Sequence, residues 1–395
     1  MTRGRLVFVL VSLTFVMTVV GGSLLAAVGR DKDSGDDSLY KYLSVFTETF
    51  HLVREAYVDD TSVDTLLGAA LDGTTDALDP FCVYVPAKAV AIHEAAHAIG
   101  RSRSGLLTLK ERGIAYIVGV DEGSPAAAAG IQEGDLLSKI DNRSTRLMPT
   151  WDLERQFAEA PGTKLELEVI RRGAPVKTTI ELKSFSPLAP RVEPERDGAN
   201  VLRIASFDSG TAAATATLLR QLQSAGHAKL LIDLRGVAAP DVRLAYPVAA
   251  LFARGESGAL LSRDKTLETF SSTSQPLWNG EVVVLVDHGT LGAAEILATV
   301  LRQKIGAKLV GEETFGWASH LASMKLRSGA HLELTDGFYT GPDHVLLKSG
   351  LVPDLEVTER SRTFAEKDKP LPAIVRDRAL RLLLGEDSLP AKKAA

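Results

Sequence analysis

The spacing of apolar positions divides this chain into stretches of different character. Leu6 to Val28 is a run of 23 residues without a charge, preceded by Arg3 and Arg5. As a helix it would span roughly 34 Å, enough to cross the hydrocarbon core of a bilayer and longer than the usual core of a cleaved signal peptide. Basic residues ahead of it place its start inside. Residues 1–30 therefore read as a single-pass signal anchor in the inner (cytoplasmic) membrane, with the main body periplasmic. A signal cleaved near Ala26-Ala27 is the alternative. Arg30 to Ser38 is a polar linker, and Tyr40 to Val85 carries apolar residues at helical spacing in two segments parted by Asp59-Asp60. This predicts a helical region over 38–100.

From Asn200 the pattern alternates. Strands are expected over Val201 to Phe207 and Leu230 to Leu234, with helices over Thr211 to Ala225 and Val242 to Arg254. Val282 to Val286 is a β-branched run ending at Asp287, followed by a turn with Gly289 and by apolar residues at helical spacing from Ala293 to Leu301. Short strands are expected at Ala322 to Leu326 and His331 to Thr335, and a last helix over Pro372 to Leu384. The class is α/β with a largely parallel sheet. In such sheets the carboxyl end of a strand that turns into a helix is the usual place for chemistry, because free N–H groups and the helix dipole meet there.

Composition adds limits. A length of 395 residues suits two to four domains, and a net charge of −5 gives no reason to expect a nucleic acid as partner. Cys82 is the only cysteine, so no internal disulfide forms.

Asp287 to Ile296 reads DHGTLGAAEI, and Val310 to Trp317 reads VGEETFGW. These segments resemble the C-terminal processing peptidases, or tail-specific proteases. In that family they read V-D/N-x-x-S-A-S-A-x-E-I, with the nucleophilic serine three residues before the glutamate, and V-G-E-x-T-F-G-K, whose lysine is the general base. With Glu295 as the anchor, the serine position is Gly292 and the lysine position is Trp317; 317 − 292 = 25 is the family's own spacing. The lysine-orienting position falls on Leu321. The family's D-x-R-G-N-P-G-G segment lends an oxyanion-hole N–H. Here Asp233-Leu234-Arg235-Gly236 matches it, then Val237-Ala238-Ala239-Pro240 departs, and proline has no N–H to give. The resemblance extends to Tyr57-Val58-Asp59, Gly68-Ala69-Ala70-Leu71, the LDPFCVYV of Leu78 to Val85 and the GLVPDLEV of Gly350 to Val357.

A serine-lysine peptidase needs a hydroxyl to attack and an amine to take its proton. Glycine has no side chain, and an indole N–H only donates. A small residue at 292 is expected to leave space that a large one at 317 fills. Ser319, Thr290 and His320 lie near the lost positions as candidates for a relocated site; Thr290 is expected to cap the following helix.

His93-Glu94-Ala95-Ala96-His97 is an H-E-x-x-H motif in a helical segment, a spacing that puts two imidazoles on one face for zinc with the glutamate as base. The next histidine is His227, so no third ligand is evident. His93, Glu94 and His97 therefore read as part of a solvated or packing helix, with no metal or cofactor expected.

Ser104 to Ser184 resembles a PDZ domain. Asp121 to Ile140, DEGSPAAAAGIQEGDLLSKI, matches its G-S-P-A-x-x-A-G-I-x-x-G-D-x-I-x-x-I core. Trp151 to Ala158 would be the helix flanking the groove. The resemblance implies that an extended peptide adds as a strand along Gly105, Leu106, Leu107, Thr108 and Leu109. The carboxylate-binding loop would lie near Ser104-Gly105-Leu106-Leu107, with Leu107 in place of the family's second glycine.

The sequence thus reads as a transmembrane helix over 1–30, a helical region over 38–100, a β-rich PDZ domain with helices over 103–185, an α/β peptidase-like core over 190–360 and a C-terminal helix and tail over 361–395. The function expected is that of a membrane-anchored homologue without the serine-lysine dyad, catalytically inactive. It would bind protein C-termini or unfolded segments as an adaptor or regulator, with an active envelope peptidase as a possible partner. The alternatives are a serine-type endopeptidase with a relocated nucleophile, and a zinc peptidase through the histidine pair.

Overall fold

The computed structural model describes residues 36–389 apart from Asp264 and Lys348. The expected anchor at residues 6–28 and the end of the tail lie outside them. Among the described residues no helix is long and apolar enough to cross a membrane. The described chain opens with two helices, α1 (Asp36–Ala56) and α2 (Val63–Asp76). Ser62 caps the second, its hydroxyl accepting from the Thr65 N–H at 3.1 Å. The chain divides after Ala70 into two compact units, and every strand belongs to the second.

After α2 come a short strand, β1 (Val83–Val85), and helix α3 (Val90–Ile99). The next segment holds β2 (Leu106–Glu111), β3 (Ile114–Val120), α4 (Pro125–Ala128), β4 (Leu136–Ile140), β5 (Arg143–Ser144), α5 (Thr150–Phe157), β6 (Lys164–Arg171) and β7 (Ala174–Glu181). The strands form an antiparallel sheet in the order β2-β3-β4-β6-β7, with β5 on β4. Its core includes Ile117, Leu137, Ile140, Leu153, Leu167 and Ile180. Asp135, in the Gly-Asp turn, is buried and holds Arg171 bidentately at 2.7 and 2.6 Å, so the turn is locked to the strand that closes the sheet.

The third segment comprises β8 (Arg191–Pro194), β9 (Ala199–Arg203), α6 (Thr211–Ser224), β10 (Lys229–Asp233), β11 (Ala238–Ala239), α7 (Ala245–Ala249), β12 (Gly255–Leu261), β13 (Thr266–Ser272), β14 (Glu281–Val286), β15 (Leu291–Gly292), α8 (Ala293–Ile305), β16 (Lys308–Gly311), β17 (Ser319–Lys325), β18 (His331–Tyr339), β19 (Leu355–Glu356) and α9 (Leu371–Leu384). The main sheet runs β19-β16-β14-β10-β9-β8 and is parallel except for β8. The apolar run of β14 reflects burial on both faces. Val282, Val284 and Val286 pack with α8, while Val283 and Leu285 pack against Ile374, Val375 and Leu380 of α9.

Two expectations change. The helix foreseen over Val242 to Arg254 is a single 3-10 turn followed by the short α7. Pro247 lies within the first turn of α7, where its missing N–H is tolerated, and the helix ends at Ala249. The short strands near His331 belong to a separate antiparallel sheet, β1-β18-β12-β13 with β17 on β18. β1, from well before the PDZ segment, completes its edge.

Candidate functional site

β10 and β14 are parallel neighbours with Asp233 opposite Leu285, so the loops after them leave the sheet side by side. Asp287 ties them together: its Oδ1 accepts from the Gly236 N–H at 2.7 Å and the Gly289 N–H at 3.1 Å. Thr290 is fully buried. Its hydroxyl donates to the Leu234 carbonyl at 3.0 Å and accepts from the Asp287 N–H at 3.0 Å. It braces the two loops and does not cap α8 as expected.

Glu295, in the first turn of α8, has no exposed surface. Its carboxylate takes four donors: the Gly292 N–H at 3.1 Å, the Gly316 N–H at 2.6 Å, the Trp317 N–H at 3.0 Å and the Thr314 hydroxyl. Burial pushes this carboxyl above its usual range, and the four donors oppose that rise. Glu295 fixes the backbones of positions 292 and 317 relative to each other. It does so whatever side chains they carry.

Gly292 sits at φ +67. Leu291 and Gly292 form a small parallel ladder with Ala238 and Ala239, and the Leu291 N–H donates to the Val237 carbonyl at 3.0 Å. A Cβ at 292 would lie 2.2 Å from the Ala239 carbonyl oxygen. A side chain at 292 would thus meet the main chain at Ala239 and Pro240, in the segment that departs from the pattern of the resembled family. The space expected for Trp317 is therefore filled from another side: the nearest atoms to such a Cβ belong to Ala239 and Pro240. Trp317 instead packs on Phe81, with ring centroids 5.1 Å apart, and on Phe338 at 6.3 Å.

Trp317 lines a cleft of about 800 Å³ together with Phe81, His93, His97, His320 and Tyr339. Leu321, on β17, opens to this cleft and is 40% exposed. Ser319 also faces it, but no hydrogen bond joins its hydroxyl to His320, whose Nδ1 is 2.6 Å from Asp336 Oδ1. Within the cleft no serine or threonine hydroxyl is hydrogen-bonded to a histidine or lysine among the described residues.

The H-E-x-x-H histidines lie on α3, which packs against α5. His93 is buried: its Nε2 is 2.9 Å from Glu333 Oε1 on β18, and its Nδ1 is 3.4 Å from Glu154 Oε2 on α5. Neither His93 Nδ1 nor Glu154 Oε2 has a hydrogen-bond partner. Donor atoms of His93, His97 and Glu154 lie within 4.8 Å of one another. Glu94 lies outside this group, with its Oε1 3.7 Å from His331 Nδ1. The structure thus brings a third donor to the pair that sequence reasoning did not find. Nothing in the spacing marks Glu154 or Glu333.

In the PDZ segment β2 is an edge strand that pairs only with β3 among the described residues, and Gly105 to Leu109 lie along and just before it. Leu106 and Leu109 are buried, while Leu107 and Thr108 are half-buried. Gly105, at φ +76, admits no side chain because a Cβ would meet that of Ser124. Two loop amides are already used: the Gly105 N–H donates to the Arg101 carbonyl at 2.7 Å and the Leu106 N–H to Ser104 Oγ at 3.1 Å. Glu133 lines a cavity with Leu109 and Glu111 of β2 and lies against Gly289. Burial, with Asp287 and Glu312 adding, pushes its carboxyl up to about 8.

Comparison with known proteins matches residues 199–357 to peptidase family S41 and residues 116–171 to the PDZ domain family. A carboxyl-terminal-processing protease of Synechocystis sp. is 30% identical over 281 residues, covering 69% of this chain and 66% of that protein. A second, from Picosynechococcus sp., is 30% identical over 62% of this chain and 60% of that protein, so the chain spans just under two thirds of these relatives. The carboxy-terminal processing protease CtpA of Bacillus subtilis is 24% identical over 89% of this chain and 75% of its own. Among solved structures, the photosystem II D1 C-terminal processing protease superposes with a TM-score of 0.65 at 21% identity. It covers 84% of this chain and 95% of that one, a likeness of fold. Residues 199–357 thus match peptidase family S41, and with a PDZ match ahead of them the chain is similar to the carboxyl-terminal processing proteases.

Proposed function

We propose that this chain is a catalytically silent member of the family that binds extended protein segments in the cell envelope, held at the inner membrane by residues 6–28 with its main body periplasmic. The observation that carries the reading is at Gly292, where a nucleophile's Cβ would lie 2.2 Å from the Ala239 carbonyl oxygen, too close unless the main chain shifts. A peptidase of this type needs attack and proton transfer at one point. Here the attacking side chain has no room, and Trp317 offers no base. The unpaired edge of β2, beside α5, supports binding by strand addition. An adaptor that presents such segments to an active envelope peptidase fits both features.

The readings with a relocated serine or threonine meet two obstacles. The Thr290 hydroxyl is spent within the loop, and Ser319 lacks a hydrogen bond to His320. The test is a long incubation of concentrated full chain with an unstructured protein bearing a free C-terminus, read by mass spectrometry, beside a binding measurement on the same pair. Binding without products is expected. Products that survive a chelator would assign the cleft a displaced hydroxyl nucleophile and end this reading.

A further inference from the structure

We infer that His93, His97 and Glu154 form a binding site for a zinc-class divalent cation, oriented by Glu333, that fastens the PDZ domain to the peptidase-like core. Such a site stands apart from the question of hydrolysis.

Two ligands bound to zinc at about 2.05 Å in tetrahedral geometry stand roughly 3.3 Å apart. His93 Nδ1 and Glu154 Oε2 are 3.4 Å apart, and neither has a hydrogen-bond partner although both atoms are buried. Two polar atoms left this way cost free energy unless something lies between them. His97, one helical turn after His93, brings the third donor within 4.8 Å. Two histidines and one carboxylate are a donor set that zinc accepts, with the fourth position left open. Here that position faces the cleft, which His93 and His97 both line.

The second layer agrees with this assignment. A ligating histidine usually donates its other ring N–H to a carboxylate, which fixes the tautomer and raises the basicity of the free nitrogen. Glu333 lies 2.9 Å from His93 Nε2, so the Nε2–H donates to it and the Nδ1 lone pair is turned toward Glu154. The simpler occupant is a proton on Nδ1, which would make His93 an imidazolium between two carboxylates. That reading gives His97 no role.

The three ligands and Glu333 come from α3, α5 and β18, which are the connecting helix, the PDZ helix that flanks β2 and a strand of the core's second sheet. A bound ion would therefore join the two domains at a point that borders the peptide-binding edge. Glu94, the base of a zinc-peptidase motif, stands outside the donor group, so the site is read as a clamp.

The test uses untagged full chain, stripped with a chelator and titrated with zinc(II) alone, then with cobalt(II). One zinc per chain is expected, with a micromolar or tighter Kd, a raised Tm, and the visible bands of four-coordinate cobalt. His97→Ala should abolish uptake while leaving the metal-free Tm unchanged, since His97 is exposed. Glu154→Gln should also abolish it, and Glu333→Gln should weaken it about 10- to 100-fold. No saturable uptake by the wild type would overturn the site in favour of the imidazolium. Uptake that survives in both His97→Ala and Glu154→Gln would overturn this ligand set.

Discussion

The loop pair around Glu295 and the edge of the PDZ segment differ in where their working parts would reside. In the loop pair the support is complete: a buried carboxylate still holds four donors from positions 292 to 317. At Gly292, by contrast, a Cβ would lie 2.2 Å from the Ala239 carbonyl oxygen. At β2 the working parts are main-chain N–H and C=O groups along an unpaired strand, and they remain. The difference comes from where each function resides. On the proposed reading, catalysis would need two side chains that substitution can remove, whereas strand addition would need only backbone that any foldable sequence keeps.

The sharpest way to break the comparison is at Glu295. Glu295→Ala leaves the Gly292, Gly316 and Trp317 N–H groups and the Thr314 hydroxyl without this acceptor and should cost about 3–5 kcal/mol in urea unfolding. A cost near zero would mean the clamp is not what holds the loops. Gly292→Ser puts a Cβ against the Ala239 carbonyl at a positive φ and should destabilise by about 2–4 kcal/mol. A neutral result would show that the β11-β15 ladder yields easily. Trp317→Ala removes the packing on Phe81 and Phe338 and should cost about 2 kcal/mol, by the same measurement.

Much of this was legible before the structure. The anchor Glu295, the two loops on either side of it and the glycines of the PDZ core are local patterns with fixed spacing. What escaped was non-local or too short to have a period. The two-residue ladder between β11 and β15 gives no alternation to read, so the closure at Gly292 could not be foreseen, and the empty-space argument for Trp317 failed with it. β1 pairs with β18 across the whole PDZ segment. Glu154 and Glu333 reach the histidine pair from other elements by folding alone.

Smaller effects sharpen the comparison. Glu133 lies buried against Gly289, and its carboxyl, pushed up to about 8, stands above the ordinary value of 4.5. The folded state then holds the proton more tightly between these values. The stability this gives is present below about pH 4.5 and is lost as pH rises through about 8. Glu133→Gln should flatten that fall and raise the Tm at pH 9, and a pH profile unchanged from wild type would refute the burial of this carboxyl. At β2, with the Gly105 and Leu106 amides already bonded, a peptide with an amidated C-terminus should bind within about threefold of its free-acid form. A loss of tenfold or more on amidation would show that the loop does capture a carboxylate.

Position 292 is closed by the main chain and not merely missing a hydroxyl. The direct measurement of that closure is turnover of an unstructured protein by the Gly292→Ser/Trp317→Lys variant, read by mass spectrometry at high enzyme concentration. No products are expected, because the Ala239 carbonyl still stands where the new side chain must go. Cleavage by this variant would contradict the closure, and would mean that the site needs only its two side chains to work.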